Sequence, residues 1–139
     1  MRVMLDTNVL ISMVLFPGER FGRMLERIIR DHTLVLSSFV VEELLVVVER
    51  KFPTRKDAIE KFLSNLDYEL VLTPHVMPPG LFAIRDMKDY PVLYSAIAGG
   101  IDILVTGDKD FAEVVVDKPK ILTPSEFIKV LDDVFLERR

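Results

Sequence analysis

The chain has no cysteine, no tryptophan, only two histidines, and no apolar run long enough to span a bilayer. Without cysteine, disulfide frameworks, zinc–thiolate centres and thiol nucleophiles are excluded, and a reducing cytoplasmic setting is expected. His32 and His75 stand isolated in the chain, which disfavours a metal-free mechanism built on a histidine pair. The first apolar stretch, Met1-Arg2-Val3-Met4-Leu5, is cut off by Asp6, and nothing approaches about 18 consecutive apolar residues. Export and membrane insertion are therefore not expected. A basic excess is also missing: 18 Lys and Arg against 22 Asp and Glu leave a net charge of −4. Proteins that hold phosphate backbones non-specifically are usually basic. A nucleic-acid role here requires the surplus carboxylate to be gathered at a metal site, where bound cations reverse the local sign.

What is present reads as one domain, 1–139. Half of the residues are apolar, enough at this length to bury roughly two-thirds of the unfolded surface. Strand-like and helix-like segments alternate. Arg2 to Leu5 is a short apolar strand. Val9 to Phe16 is a short helix ended by Pro17-Gly18. From Glu19 to Asp31, Phe21, Met24, Leu25, Ile28 and Ile29 fall on one helical face. Thr33 to Leu36 is a second strand, and Ser37-Ser38 caps a very apolar helix running to Arg50. After the break at Phe52-Pro53-Thr54 a helix carries Ile59, Phe62, Leu63 and Leu66 on one side. Tyr68 to Leu72 is a third strand. Thr73 to Met87 is a proline-rich loop of a length that is often functional. A helix from Asp89 to Ala98 stops at Gly99-Gly100. Ile101 to Val105 and Lys120 to Leu122 are the last strands, and Ser125 to Phe135 is a closing helix capped near Thr123 or Ser125. This order implies an α/β fold: a three-layer α/β/α sandwich around a parallel sheet of four to five strands.

Ligands of such sheets bind at the carboxyl ends of the strands, and acids lie there. Asp6 ends the first strand, and Asp108 lies just past the fourth. Asp86 and Asp89 sit where the long loop enters a helix, and Glu43 lies a turn into the helix after the second strand. Carboxylates brought close repel one another unless a divalent cation intervenes. A set of oxygen donors with no cysteine and little histidine suits Mg²⁺ or Mn²⁺ better than zinc.

Taken in order, Asp6-Thr7-Asn8-Val9-Leu10-Ile11-Ser12, Glu42-Glu43-Leu44, Arg85-Asp86-Met87-Lys88-Asp89 and Val105-Thr106-Gly107-Asp108-Lys109-Asp110-Phe111 resemble the PIN-domain nucleases. The likeness is greatest to the VapC-type toxin components of toxin–antitoxin pairs. It extends over almost the whole chain, including Ile121-Leu122-Thr123-Pro124-Ser125-Glu126-Phe127.

The resemblance implies a metal-dependent endoribonuclease with Asp6, Glu43, Asp89 and Asp108 as the catalytic, metal-binding acids. Asn8 and Thr106 would support them by hydrogen bonds, and Asp86 and Asp110 would be secondary members. It also implies an antitoxin partner and a homodimer. Neighbours on a helix point about 100° apart, so only one of Glu42 and Glu43 can face the site; Glu43, directly before Leu44, matches the pattern. Asp89 has a structural alternative as the cap of the helix that Pro91 opens. Arg85, Lys88 and Lys109 adjoin the acids and are placed to hold RNA phosphate. Arg20, Arg23, Arg27 and Arg30 form a stripe that is either an RNA contact or an ordinary mixed-charge surface. The apolar helix from Phe39 to Val48 is expected to be deeply buried or part of a subunit interface. The competing function is a catalytically silent PIN-like module that binds RNA or a protein partner.

Overall fold

The computed structural model describes residues 1–16 and 18–137; Pro17, read as a helix breaker, lies outside the described residues. Five strands form one all-parallel sheet: β1 (Arg2–Leu5), β2 (Thr33–Ser37), β3 (Glu69–Val71), β4 (Ile103–Val105) and β5 (Lys120–Leu122). Their spatial order is β3-β2-β1-β4-β5. Val3, Met4 and Leu5 are fully buried, as are Leu104 and Val105. A central parallel strand is covered on both faces and so reads as a continuous apolar run rather than an alternating one.

Among the described residues six α-helices flank the sheet: α1 (Thr7–Leu15), α2 (Glu19–Asp31), α3 (Ser38–Lys51), α4 (Lys56–Asn65), α5 (Tyr90–Ala98) and α6 (Pro124–Glu137). The result is the three-layer α/β/α architecture. None of these helices is long and apolar enough to cross a membrane. On α3, Val40, Leu44 and Val48 are fully buried, while Val46 is 60% exposed. Most of that apolar helix therefore serves the core of its own chain.

Local signals account for the element ends. The Ser37 side chain accepts from the amide of Val40 at the start of α3. Thr123 and Glu126 bond reciprocally at the start of α6, a capping box that satisfies two amides at once. Gly100 takes a left-handed conformation, φ 64°, and lets the chain leave α5 for β4. Gly99 is tight: a Cβ there would lie 3.0 Å from the Ser95 carbonyl oxygen and 3.2 Å from Val71. The Arg2 guanidinium donates twice to the Gly99 carbonyl and pairs with Glu69, joining β1, β3 and the end of α5.

The arginine stripe on α2 is engaged within the protein. Arg20 donates to Ser125 Oγ at 2.6 Å, and Arg27 pairs with Asp132 at 2.6 Å. Arg23 pairs with Glu19 and Arg30 with Asp31. Arg20 and Arg27 therefore fasten α2 to α6, while Arg23 and Arg30 pair within α2 itself.

The loop of residues 72–86 is anchored by Tyr90, whose hydroxyl donates to the Pro78 carbonyl at 2.6 Å and accepts from the Leu81 amide at 3.3 Å. The Tyr90 ring stacks on Phe82, with centroids 4.4 Å apart. This loop delivers Asp86 to the carboxyl edge of the sheet.

Candidate metal centre

The direction of strand succession reverses at β1. From β1 the chain moves through β2 to β3, then crosses back to place β4 on the other side of β1. Connections from β1 and β4 thus leave in opposite directions and open a crevice at their carboxyl ends. Asp6 follows β1 directly, and Thr106 and Asp108 follow β4.

Asp6 is 4% exposed. One carboxylate oxygen accepts from the Thr7 amide at 2.7 Å, the other from the Thr106 hydroxyl at 2.7 Å. Burial pushes its carboxyl above the ordinary aspartate range. Those two hydrogen bonds oppose the rise, and the charges of Glu43 and Asp108 add to it. Asp6 has no ion pair among the described residues. An anion so placed is held by neutral donors and faced by other anions, an arrangement that calls for a cation.

The remaining acids arrive on short helical turns. Asp86 accepts from the Lys88 amide at 3.0 Å, and Asp108 accepts from the Asp110 amide at 2.9 Å. Each starts a single 3₁₀ turn, Met87–Asp89 and Lys109–Phe111. The Asp108 amide in turn donates to Thr106 Oγ at 3.1 Å, so Thr106 bridges Asp6 to the Asp108 backbone.

Asp89 stands at the N-cap position of α5, yet its side chain makes no capping hydrogen bond. Pro91, in the first turn, has no amide hydrogen to offer. The carboxyl is not used as a cap: its Oδ2 is buried with no hydrogen-bond partner, and its side chain also meets that of Asp108. Its pKa is pushed up to about 7, first by burial, then by the charges of Asp108, Asp6 and Asp86.

One carboxylate oxygen from each of Asp86, Asp89 and Asp110 lies within 4.8 Å of the others. This spread fits oxygens around one cation bonded at about 2.0–2.6 Å. The most compact group thus contains Asp89 together with Asp86 and Asp110, the two acids that the sequence pattern makes secondary. Asp6 and Asp108 adjoin it through their charges on Asp89. Glu43 reaches Asp6 in the same way and is half-buried, while Glu42 is exposed. The donors are all oxygens, and a buried carboxylate oxygen lacks any partner; both features fit a hard divalent cation.

Not every supporting residue falls where the resemblance puts it. Thr106 bonds Asp6, but Asn8 is exposed and its side chain makes no hydrogen bond to the acids among the described residues. A residue that sequence reasoning missed is Thr7, whose buried hydroxyl has no partner; its place between Asp6 and an apolar helix is the only textual sign. Arg85 lies 3.7 Å from Asp110, whereas Lys88 and Lys109 are exposed and without ion pairs among the described residues.

Comparison with known proteins places this geometry in context. The family model described as the PIN domain matches residues 2–110. A chain in the crystal structure of VapBC2 from Rickettsia felis bound to a DNA fragment from their promoter aligns with a TM-score of 0.65. The two are 20% identical, over 88% of this chain and 97% of that one. At that identity the likeness establishes the fold. No curated protein sequence matches the chain.

Proposed function

Because the chain belongs to the PIN-domain family, we propose that it is a metal-dependent endoribonuclease hydrolysing RNA phosphodiester bonds, the VapC-type toxin of a toxin–antitoxin pair. The observation that carries this reading is Asp89: a carboxylate oxygen buried without a partner, its charge opposed by Asp6, Asp86 and Asp108. Asp86, Asp89 and Asp110 would hold Mg²⁺ or Mn²⁺, with Asp6, Asp108 and Glu43 completing the acidic wall. When bound, the ion supplies positive charge for the phosphodiester and makes a water molecule more acidic.

The chain's own groups do the positioning. Thr106 and the Thr7 amide fix the Asp6 carboxylate in one orientation, so its charge is aimed before substrate arrives. Lys88 and Lys109 lie beside the acids and meet phosphates on either side of the one being cut. Arg85 is partly engaged by Asp110 and would be a third cation for phosphate at the same edge.

An antitoxin partner belongs to the same reading and draws support from the shared fold of the VapBC2 chain. A homodimer in the cytoplasm completes it, with the exposed Val46 on α3 available to an interface. Incubation of the purified chain with single-stranded RNA tests the core of the proposal. Cleavage should require Mn²⁺ or Mg²⁺, cease with EDTA, and be lost in Asp6→Asn. Specific, metal-bound RNA that is never cut would instead establish the silent binding module.

A further inference from the structure

Next to the acids lies a cavity of 560 Å³, inside the range of about 300–1,000 Å³ usual for small-molecule sites. Its walls are β5, the start of α6 and the segment of residues 107–119. Thr106 and Asp108 belong both to these walls and to the acid site, so the two spaces adjoin. We propose that this cavity receives a nucleobase of the RNA strand whose phosphate is held at the acids, and that the backbone of Ile121 reads its edge. The proposal rests on the ribonuclease reading above and names a specificity element for it.

The backbone argument comes from the ladder. β5 is an edge strand, paired only with β4. The Lys120 amide donates to the Asp102 carbonyl, and the Thr106 amide donates to the Leu122 carbonyl. Successive residues of a strand direct their backbone groups to opposite sides. Since Lys120 and Leu122 face β4, the Ile121 N–H and C=O both point away from the sheet. Neither has a hydrogen-bond partner among the described residues. Ile121 lines the cavity, so one donor and one acceptor are presented side by side there. Every nucleobase carries an adjacent donor and acceptor on its pairing edge, and single-stranded RNA leaves that edge free.

The rest of the lining is mixed: Asp108, Asp117 and Glu126 bring carboxylates to it beside its apolar and basic residues. Val114, Val116 and Leu122 supply apolar surface for a ring face, and Lys109 and Lys120 supply cations for the flanking phosphates. Neither lysine has an ion pair among the described residues, and Glu126 is occupied with Thr123. A peptide strand adding to this edge is the weaker fit: β5 has three residues and presents the outward pair of only one, too few for a strand ladder.

Nuclear magnetic resonance on the ¹⁵N-labelled full chain, titrated with the four ribonucleoside 5′-monophosphates in Mg²⁺, tests this directly. The Ile121 amide should shift with at least one nucleotide and not with ribose 5-phosphate. Ala112→Trp, which fills the cavity from its exposed rim, should abolish the shift, and Val114→Phe should weaken it if Ala112→Trp does not fold. With RNA carrying one abasic position beside the cut, wild-type cleavage should slow by about tenfold, the effect of losing one base contact. Ala112→Trp should slow the intact RNA by a similar factor and lose nothing more on the abasic one. An unmoved Ile121 amide alongside intact metal-dependent cleavage overturns the base pocket and leaves the ribonuclease standing. A shift produced by ribose 5-phosphate alone reduces the cavity to a phosphate site, and one produced by raising protein concentration assigns the edge to a second copy. A nucleotide-induced shift without any RNA cleavage overturns the ribonuclease reading and, with it, the claim that the base belongs to a substrate.

Discussion

Thr106 donates its hydroxyl to Asp6 across 2.7 Å, joining residues 100 positions apart at the ends of two adjacent strands. The same oxygen accepts from the Asp108 amide. A single hydroxyl thus sets the orientation of one acid and the backbone of another.

Thr106→Val keeps the shape and removes both hydrogen bonds. Loss of a hydrogen bond to a buried carboxylate should lower stability by about 1.5–3 kcal/mol where Asp6 is ionised, measurable by denaturant unfolding. Cleavage should fall by about tenfold or more, with the acid limb of its pH profile displaced upward, because Asp6 loses a contact that favours its charged form. An unchanged profile would mean that Asp6 does not control the reaction.

The titration of Asp89 gives a second prediction. An unperturbed aspartate loses its proton near about pH 3.9, whereas Asp89 in the fold holds its proton to about 7. Between these values the folded, metal-free chain binds more protons than the unfolded one, so stability falls as pH rises through that window. In EDTA the Tm should therefore decline from about pH 4 to about pH 7 and then level off, as far as this group contributes. Mn²⁺ should raise the Tm most above pH 7, where the cation need not displace a proton. Asp89→Asn should flatten the decline and abolish the gain from Mn²⁺.

The α2 arginines separate structural from RNA-binding charge. Arg20→Ala and Arg27→Ala remove the contacts to Ser125 and Asp132. Each should lower stability by about 0.5–1 kcal/mol and leave the cleavage rate within about twofold. Lys109→Ala should do the reverse, slowing cleavage and weakening its salt dependence while stability stays level.

Tyr90→Phe deletes the hydroxyl that holds Pro78 and Leu81. The loop that carries Asp86 should become more open to limited proteolysis, with a loss of about 1 kcal/mol in stability. Metal affinity, followed by the Mn²⁺-induced rise in Tm, should weaken as Asp86 loses its fixed approach.

The helices and strands were legible because their signals are local. The apolar face of α2, the cap at Ser37 and the stop at Gly99-Gly100 each lie within one or two turns of the element they define. Asp6 was legible for a related reason: an acid between an apolar strand and an apolar helix has no solvent to go to. Glu43 could be preferred over Glu42 only by its place before Leu44; in the fold Glu43 is half-buried and Glu42 exposed. Asp89 was ambiguous, because a cap and a metal ligand look alike in text.

By itself the sequence settled the succession of elements, the parallel character of the sheet and the set of acids available at its carboxyl edge, since periodicity and capping act over a few residues. Only the tertiary structure decided which of those acids meet. The reversal at β1 brings residue 6 beside residue 106, and two 3₁₀ turns draw Asp86, Asp89 and Asp110 into the most compact group. It also decided that Asp89 caps nothing and that Arg20 and Arg27 of α2 are engaged by α6. Such choices depend on distances between segments far apart in the chain, which no local pattern encodes.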